Sequence, residues 1–264
     1  MDNMNKFRRG FTLIEITLFL AVTGLLFLSV TIGVQNSIYQ QRYSDAVQSF
    51  ADFLGDIYSQ VLNVQHEGNG RTEQAVYGKM LTFGEKVGDD SSSEQIVHVY
   101  DILGLAVSYE SINNGGATMD LLRRVKADVV ERGSDGAYRT VGVSQAFTPK
   151  WGSRIQKVNG FGDYEGTIMV VRNPSSGTIQ TFVKDDVINV ETLITGASGD
   201  GFQILDDAAV SNFQLKEVDF CVNPDGNNEI NNRTDVRLMK NASNSSGVVI
   251  MPRDDESNKC NVVD

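Results

Sequence analysis

Between Ile16 and Val34, nineteen consecutive residues carry no Asp, Glu, Lys or Arg. About 20 apolar residues are what a helix needs to cross the hydrocarbon core of a bilayer, so residues 11–34 predict a spanning helix. The nearby cations, Lys6, Arg8 and Arg9, all precede it, and the next is Arg42. The positive-inside bias then places residues 1–10 in the cytoplasm and the rest of the chain outside. A secretory signal peptide would have a shorter apolar run ending in small residues of Ala-x-Ala type. Here the run passes directly into an amphipathic pattern. Tyr39, Tyr43, Val47, Phe50, Leu54, Ile57, Val61 and Val64 recur at steps of three and four, with Gln40, Gln41, Asp45, Gln48, Asp52 and Asp56 on the other side. Helix is expected from Phe11 to about Gln65, roughly 80 Å at 1.5 Å per residue. The run His66-Glu67-Gly68-Asn69-Gly70 ends it. The aromatic members of the stripe read as core.

The remainder clusters and alternates apolar residues with the period of strands. Strands are expected over 75–83, 95–103 and 137–143. Residues 166–172 and 178–184, joined by Asn173-Pro174-Ser175-Ser176-Gly177, make the clearest hairpin. Residues 213–222, 235–240 and 248–251 read as closing strands. Residues 119–130 fit helix or strand equally, and 186–194 reads as a short helix. Residues 84–93 and 196–201, rich in Gly, Ser and Asp, read as surface loops. With no internal repeat and no long linker, one domain is expected over 67–264. The expected class is α+β, a long N-terminal helix packed on a β-rich, mainly antiparallel domain, with residues 35–66 as the amphipathic continuation of the spanning segment 11–34.

Charge narrows the partners. The chain of 264 residues carries a formal charge of −11. Its first ten residues hold three cations against Asp2, so the acidity lies wholly after Gly10. A surface that acidic has no general attraction for phosphate backbones, which excludes nucleic acid as a partner for its bulk. Cys221 and Cys260 are the two cysteines. In an exported domain that number makes one disulfide, worth roughly 3–4 kcal/mol of loop entropy; two reduced core thiols are the alternative. His66 and His98 have no metal-type or nucleophile-type neighbours, so nothing supports a hydrolase. Asp225, Asn227 and Glu229 space oxygen ligands as calcium loops do, but Ile230 stands where an EF-hand needs Gly. A solvated turn is the default reading there and calcium the candidate. No other cofactor is expected.

Glu15 stands out, because an ionised Glu costs roughly 2.5–3.5 kcal/mol at a bilayer centre. The run Gly10-Phe11-Thr12-Leu13-Ile14-Glu15, behind a short basic leader and ahead of an apolar helix, resembles the processing site of type IV prepilins and type II secretion pseudopilins. The resemblance implies that residues 1–10 are a leader, cut after Gly10 on the cytoplasmic side by a prepilin peptidase/methyltransferase. Phe11 then becomes an N-methylated terminus, and Glu15 pairs with the N-terminal amine of a neighbouring subunit during assembly. The physics is compatible: cleavage creates an ammonium at Phe11, and Glu15 lies one helical turn on, at the dipole-positive end. Paired in a low-dielectric bundle, the carboxylate is tolerated.

Gly24 matches a glycine common in such helices and allows close packing. Major pilins usually carry a Pro about eight residues later, where this chain has Ile32 and Gly33, and the chain is large for a major pilin. Both features lean toward a minor subunit. The block from Phe220 to Val249 faintly resembles the C-terminal hairpin of GspH/FimT-type minor pseudopilins. The resemblance is specific over about the first 60 residues. It implies a pilin-type domain and a structural, non-enzymatic role in a filament serving adhesion, twitching motility, DNA uptake or secretion. The implied partners are other pilin subunits, an inner-membrane assembly platform and membrane lipid. The implied location is the cytoplasmic membrane, single-pass, and then an extracellular pilus or a periplasmic pseudopilus. A membrane-anchored surface-binding protein that never polymerises is the alternative.

Overall fold

The computed structural model describes residues 12–63, 74–84, 95–105, 118, 129–132, 138–140, 142–158, 160, 162–173, 176–190, 212–224, 233–252, 256 and 258–261. A single helix, α1 (Leu13–Leu62), starts the described chain. The chain divides into two units, Met1–Ser44 and Asp45–Asp264.

In the first unit the helix is exposed nearly throughout, with Leu13, Phe19, Leu25 and Phe27 each at least 67% accessible. It is long and apolar enough to cross a membrane. The four hydroxyls of the apolar run all turn inward on their own backbone. Thr17 donates to the Ile14 carbonyl, Thr23 to Phe19, Ser29 to Leu26 and Thr31 to Phe27, at 2.8–3.0 Å. Each side chain thereby satisfies its donor without water.

In the second unit, α1 buries Ala46, Val47, Phe50, Ala51, Phe53, Leu54, Ile57, Tyr58 and Val61. The stripe expected from Tyr39 onward is buried only from Ala46, since Tyr39 is 40% exposed and Tyr43 half-buried. The helix also stops short of the expected Gln65. Its last carbonyls are met by Asn63, whose N–H reaches Ser59 at 3.1 Å, and by the Arg172 guanidinium, 3.2 Å from the Leu62 carbonyl. A cation at this end complements both the orphan carbonyls and the helix dipole.

The strands are β1 (Gln74–Phe83), β2 (Val97–Leu105), β3 (Val130–Arg132), β4 (Tyr138–Thr140), β5 (Val143–Phe147), β6 (Arg154–Gln156), β7 (Gly166–Arg172), β8 (Ile179–Lys184), β9 (Gln214–Leu215), β10 (Val218–Asn223), β11 (Thr234–Leu238), β12 (Asn241–Ala242) and β13 (Val248–Met251). They form a seven-stranded sheet ordered β12-β8-β7-β1-β2-β5, with β9 also on β8, a four-stranded sheet ordered β13-β11-β10-β6, and the pair β3-β4. Each pairing is antiparallel. The α+β expectation holds: the second-unit part of α1 packs on a mainly antiparallel β domain.

Helix α1 joins the two main sheets through aromatic rings. Phe50 lies 5.6 Å from Phe147 of the larger sheet and 5.4 Å from Phe220 of the smaller one. Phe53 stacks on Phe147 at 4.6 Å, while Phe83 and Tyr164 close on Phe220 at 5.2 and 4.8 Å. Tyr58 anchors the other end. Its buried hydroxyl sits 2.6 Å from Thr181 Oγ1 and donates to the Met239 carbonyl at 3.2 Å. Burial pushes the phenol up to about 12.

The expected hairpin is present as β7–β8, with Arg172 opposite Ile179 and the Asn173 side chain accepting the Ser176 N–H in its turn. Strands β1, β2 and β13 lie where periodicity placed them, within two residues. Other expectations need correction. The single strand over 137–143 is two: Gly142, at φ +82°, breaks it, sending β4 to β3 and β5 to β2. The strand over 213–222 is likewise broken after Leu215, with β9 in one sheet and β10 in the other. The strand over 235–240 ends at Leu238, and the Lys240 carbonyl instead accepts the Thr181 N–H. Of the short helix expected over 186–194, residues 186–189 are not helical, since Thr167 Oγ1 donates to the Asp186 carbonyl and accepts the Ile188 N–H, while Val190 is. Residues 119–128, 191–194 and both Gly/Ser/Asp-rich loops except Gly84 lie outside the described residues.

Candidate functional site

The first turn of α1 is a reciprocal cap. Thr12 stands just before the helix, and the Glu15 backbone N–H donates to its hydroxyl at 3.3 Å. The Glu15 carboxylate in turn accepts the Thr12 backbone N–H at 2.9 Å and the Thr12 hydroxyl at 3.0 Å. This is the Thr-x-x-Glu capping box, which satisfies donors that a helix start leaves orphaned. The Thr-x-x-Glu spacing is legible in Thr12-Leu13-Ile14-Glu15. Glu15 therefore has partners within its own chain, at the rim of the apolar run. Gly10 and Phe11 lie outside the described residues.

The outer face of the smaller sheet carries a denser polar network, and the C-terminal tail lies over it. Cys221 of β10 and Cys260 of the tail form a disulfide, 39 residues apart in sequence with Cα atoms 5.4 Å apart. Beside it, Arg237 pairs with Asp219 and, at 3.4 Å, with Asp235. Lys259 Nζ lies 2.6 Å from Asp219 and 3.8 Å from Glu217. The buried Arg233 guanidinium donates to the carbonyls of Gly160 at 2.8 Å and Cys260 at 2.7 Å. Asn258 closes the turn by accepting the Cys260 N–H at 2.9 Å. Asp235 is fully buried, and its Oδ1 has no hydrogen-bond partner among the described residues. Burial first, and then the negative charge of Asp219, push its carboxyl up to about 6; the Lys259 backbone N–H, Arg237 and the Lys259 charge offset part of that. Sequence reasoning found the two cysteines and missed this cluster, because alternation assigns Asp235 and Arg237 to a solvated face.

A second buried pair, Lys79 with Asp101, sits directly opposite across β1 and β2. Such pairs hold register more than they add stability. Between α1 and edge strand β13 runs an open groove of about 610 Å³, lined by Ala51, Asp52, Gly55, Asp56, Val248 and Ile250 among others. Its two carboxylates accept from the side chains of Gln48 and Gln60 at 2.7 and 2.6 Å. His98 is half-buried on β2 with its Nδ1 unpaired among the described residues, while His66 lies outside them. Among the described residues no group of three or more His, Cys, Asp and Glu is placed to hold a metal. The calcium candidates Asp225, Asn227 and Glu229 lie outside them.

One exposed side chain departs from ordinary backbone geometry. Trp151 has φ +61° and ψ +25° and is 58% exposed; among the described residues it is the one non-glycine with positive φ. Nothing in the sequence pattern marks that conformation. No family model matches this chain, and neither the curated proteins nor the solved structures contain a match to it.

Proposed function

We propose that this chain is a structural subunit, most consistent with a minor pilin or pseudopilin, of a bacterial type IV filament. In this reading it inserts with its N-terminus in the cytoplasm, is cut after Gly10 and methylated at Phe11. It then enters a helical filament through the apolar part of α1, with the disulfide-bonded β domain displayed outside. The observation that carries the reading is the conjunction at one helix start: the Gly10-Phe11-Thr12-Leu13-Ile14-Glu15 run, then an uncharged helix with exposed apolar side chains. Burying such a face between neighbouring subunits or in lipid supplies the assembly energy. A peptidase/methyltransferase, an inner-membrane platform and further pilin subunits are the partners this role requires. Adhesion, motility, DNA uptake and secretion all remain within it.

A membrane-anchored domain that never polymerises is the second reading. The Thr12–Glu15 box favours it, since the carboxylate finds hydrogen bonds without a neighbour's amine. Intact-mass measurement and N-terminal sequencing of the membrane-extracted protein separate the two. The filament reading expects a chain starting at N-methylated Phe11, and retention of residues 1–10 defeats it.

A further inference from the structure

We propose that Trp151 and the turn carrying it seat the β domain on the lipid–water interface of an anionic membrane. Trp151 is the sole tryptophan of the chain. Its left-handed backbone is uncommon for a bulky residue, and such conformations persist where the surroundings hold them, often at binding surfaces. Here the surroundings do hold it. The Lys150 carbonyl accepts both the Ser153 N–H at 3.1 Å and the Ser153 hydroxyl at 2.7 Å, and Gly152 continues the turn at φ +74°. The result is an exposed Trp151 that directly follows an exposed Lys150 in the chain. An amphipathic ring next to a snorkelling cation is the pairing that headgroup regions favour.

Charge points to the same surface. The chain holds 34 acidic residues, yet none lies between Gly136 and Gly162, where Arg139, Lys150, Arg154 and Lys157 occur. Of these, Arg154 is paired with Asp163 at 2.7 Å. In a strongly acidic chain this stretch carries a local excess of cations, the sign that an anionic surface attracts.

The inference rests on membrane insertion of residues 11–34 and is independent of filament assembly. As the sole tryptophan, Trp151 reports on itself. The full chain is reconstituted into phosphatidylcholine/phosphatidylglycerol vesicles, with and without lipid brominated near the headgroup. The expected result is blue-shifted emission that loses most of its intensity to the shallow bromine, at every protein-to-lipid ratio. In Lys150→Glu, emission and quenching should fall back toward those of a solvated indole. Water-like, unquenched emission from protein that floats with the vesicles overturns the inference while leaving insertion intact. A shift that grows only with protein density assigns Trp151 to a neighbouring copy and overturns it too. Failure to float with vesicles removes the premise and the inference together.

Discussion

Glu15 is a carboxylate with two candidate duties, and one substitution divides them. In the first turn of α1 it accepts two hydrogen bonds from Thr12, a role a neutral amide oxygen also fills. In a filament its charge would face the ammonium at Phe11 of a neighbour. Glu15→Gln keeps the cap and removes the charge. The filament reading therefore predicts normal insertion and processing of Glu15→Gln but its loss from sheared filaments, scored by immunoblot of membrane and shear fractions. Wild-type incorporation would reduce Glu15 to a cap. The cap itself is tested by Thr12→Val, which should cost about 0.5–2 kcal/mol of helix-start stability, seen as faster amide exchange in the first turn in detergent.

Asp235 makes a second residue-scale prediction, with a definite sign. Its folded pKa, about 6, stands above the unfolded value of 3.8. The stabilising form is therefore the protonated one. Its contribution is fully present below pH 3.8 and is lost as pH rises through about 6. Melting temperatures of the wild type and Asp235→Asn, compared at pH 7.5 and pH 5, should show the wild type gaining on the variant at the lower pH. Parallel curves would mean the carboxyl is not shifted.

At the scale of elements, the contact between α1 and the β domain is narrow and specific. A Cβ on Gly247 would come within 2.5 Å of the Tyr58 ring and 2.6 Å of the Ala242 Cβ. Tyr58 cannot yield, because its hydroxyl is fixed on Thr181 and Met239. Gly247→Ala is expected to destabilise by about 1–3 kcal/mol, the usual cost of overpacking. Phe50→Ala should cost about 3–5 kcal/mol, since it leaves a hole between the two sheets; chemical denaturation of the detergent-solubilised protein measures both. The same elements show what a sequence carries. Helix α1 beyond Asp45 and strands β1, β2, β7 and β8 were legible because each is largely buried, and period follows burial; β13, half-buried throughout, was legible from its unbroken apolar run. The breaks at Gly142 and after Leu215 were not, because a chain that changes sheets keeps its apolar alternation while its partners change. Asp235 was hidden for a related reason. A strand pattern distinguishes two faces, but it does not say that a tail more than twenty residues later will cover the polar one. Trp151 was visible as a residue and invisible as a conformation.

At the scale of the whole molecule, two kinds of bond hold the C-terminal tail on the smaller sheet, and they act on different states. Lys259 and Arg233 make contacts that exist only when the domain is folded. The Cys221–Cys260 disulfide, closing a separation of 39 residues, acts mainly by restricting the unfolded chain, worth roughly 4 kcal/mol in the loop-entropy model. Removing it should leave the native tail in place while lowering the melting temperature. At about 2–4 °C per kcal/mol for a domain of this size, the fall is on the order of 10 °C. The double variant Cys221→Ser/Cys260→Ser, followed by near-UV circular dichroism, tests this. An unchanged melting temperature would mean that the disulfide does not restrict the unfolded chain as the loop-entropy model requires. A lost native spectrum at low temperature would mean that Lys259 and Arg233 cannot hold it alone. The expected outcome lies between: a native spectrum, an earlier melt, and a further drop when Lys259→Ala is added, because the variant then lacks both the constraint on the unfolded chain and a clasp on the folded one.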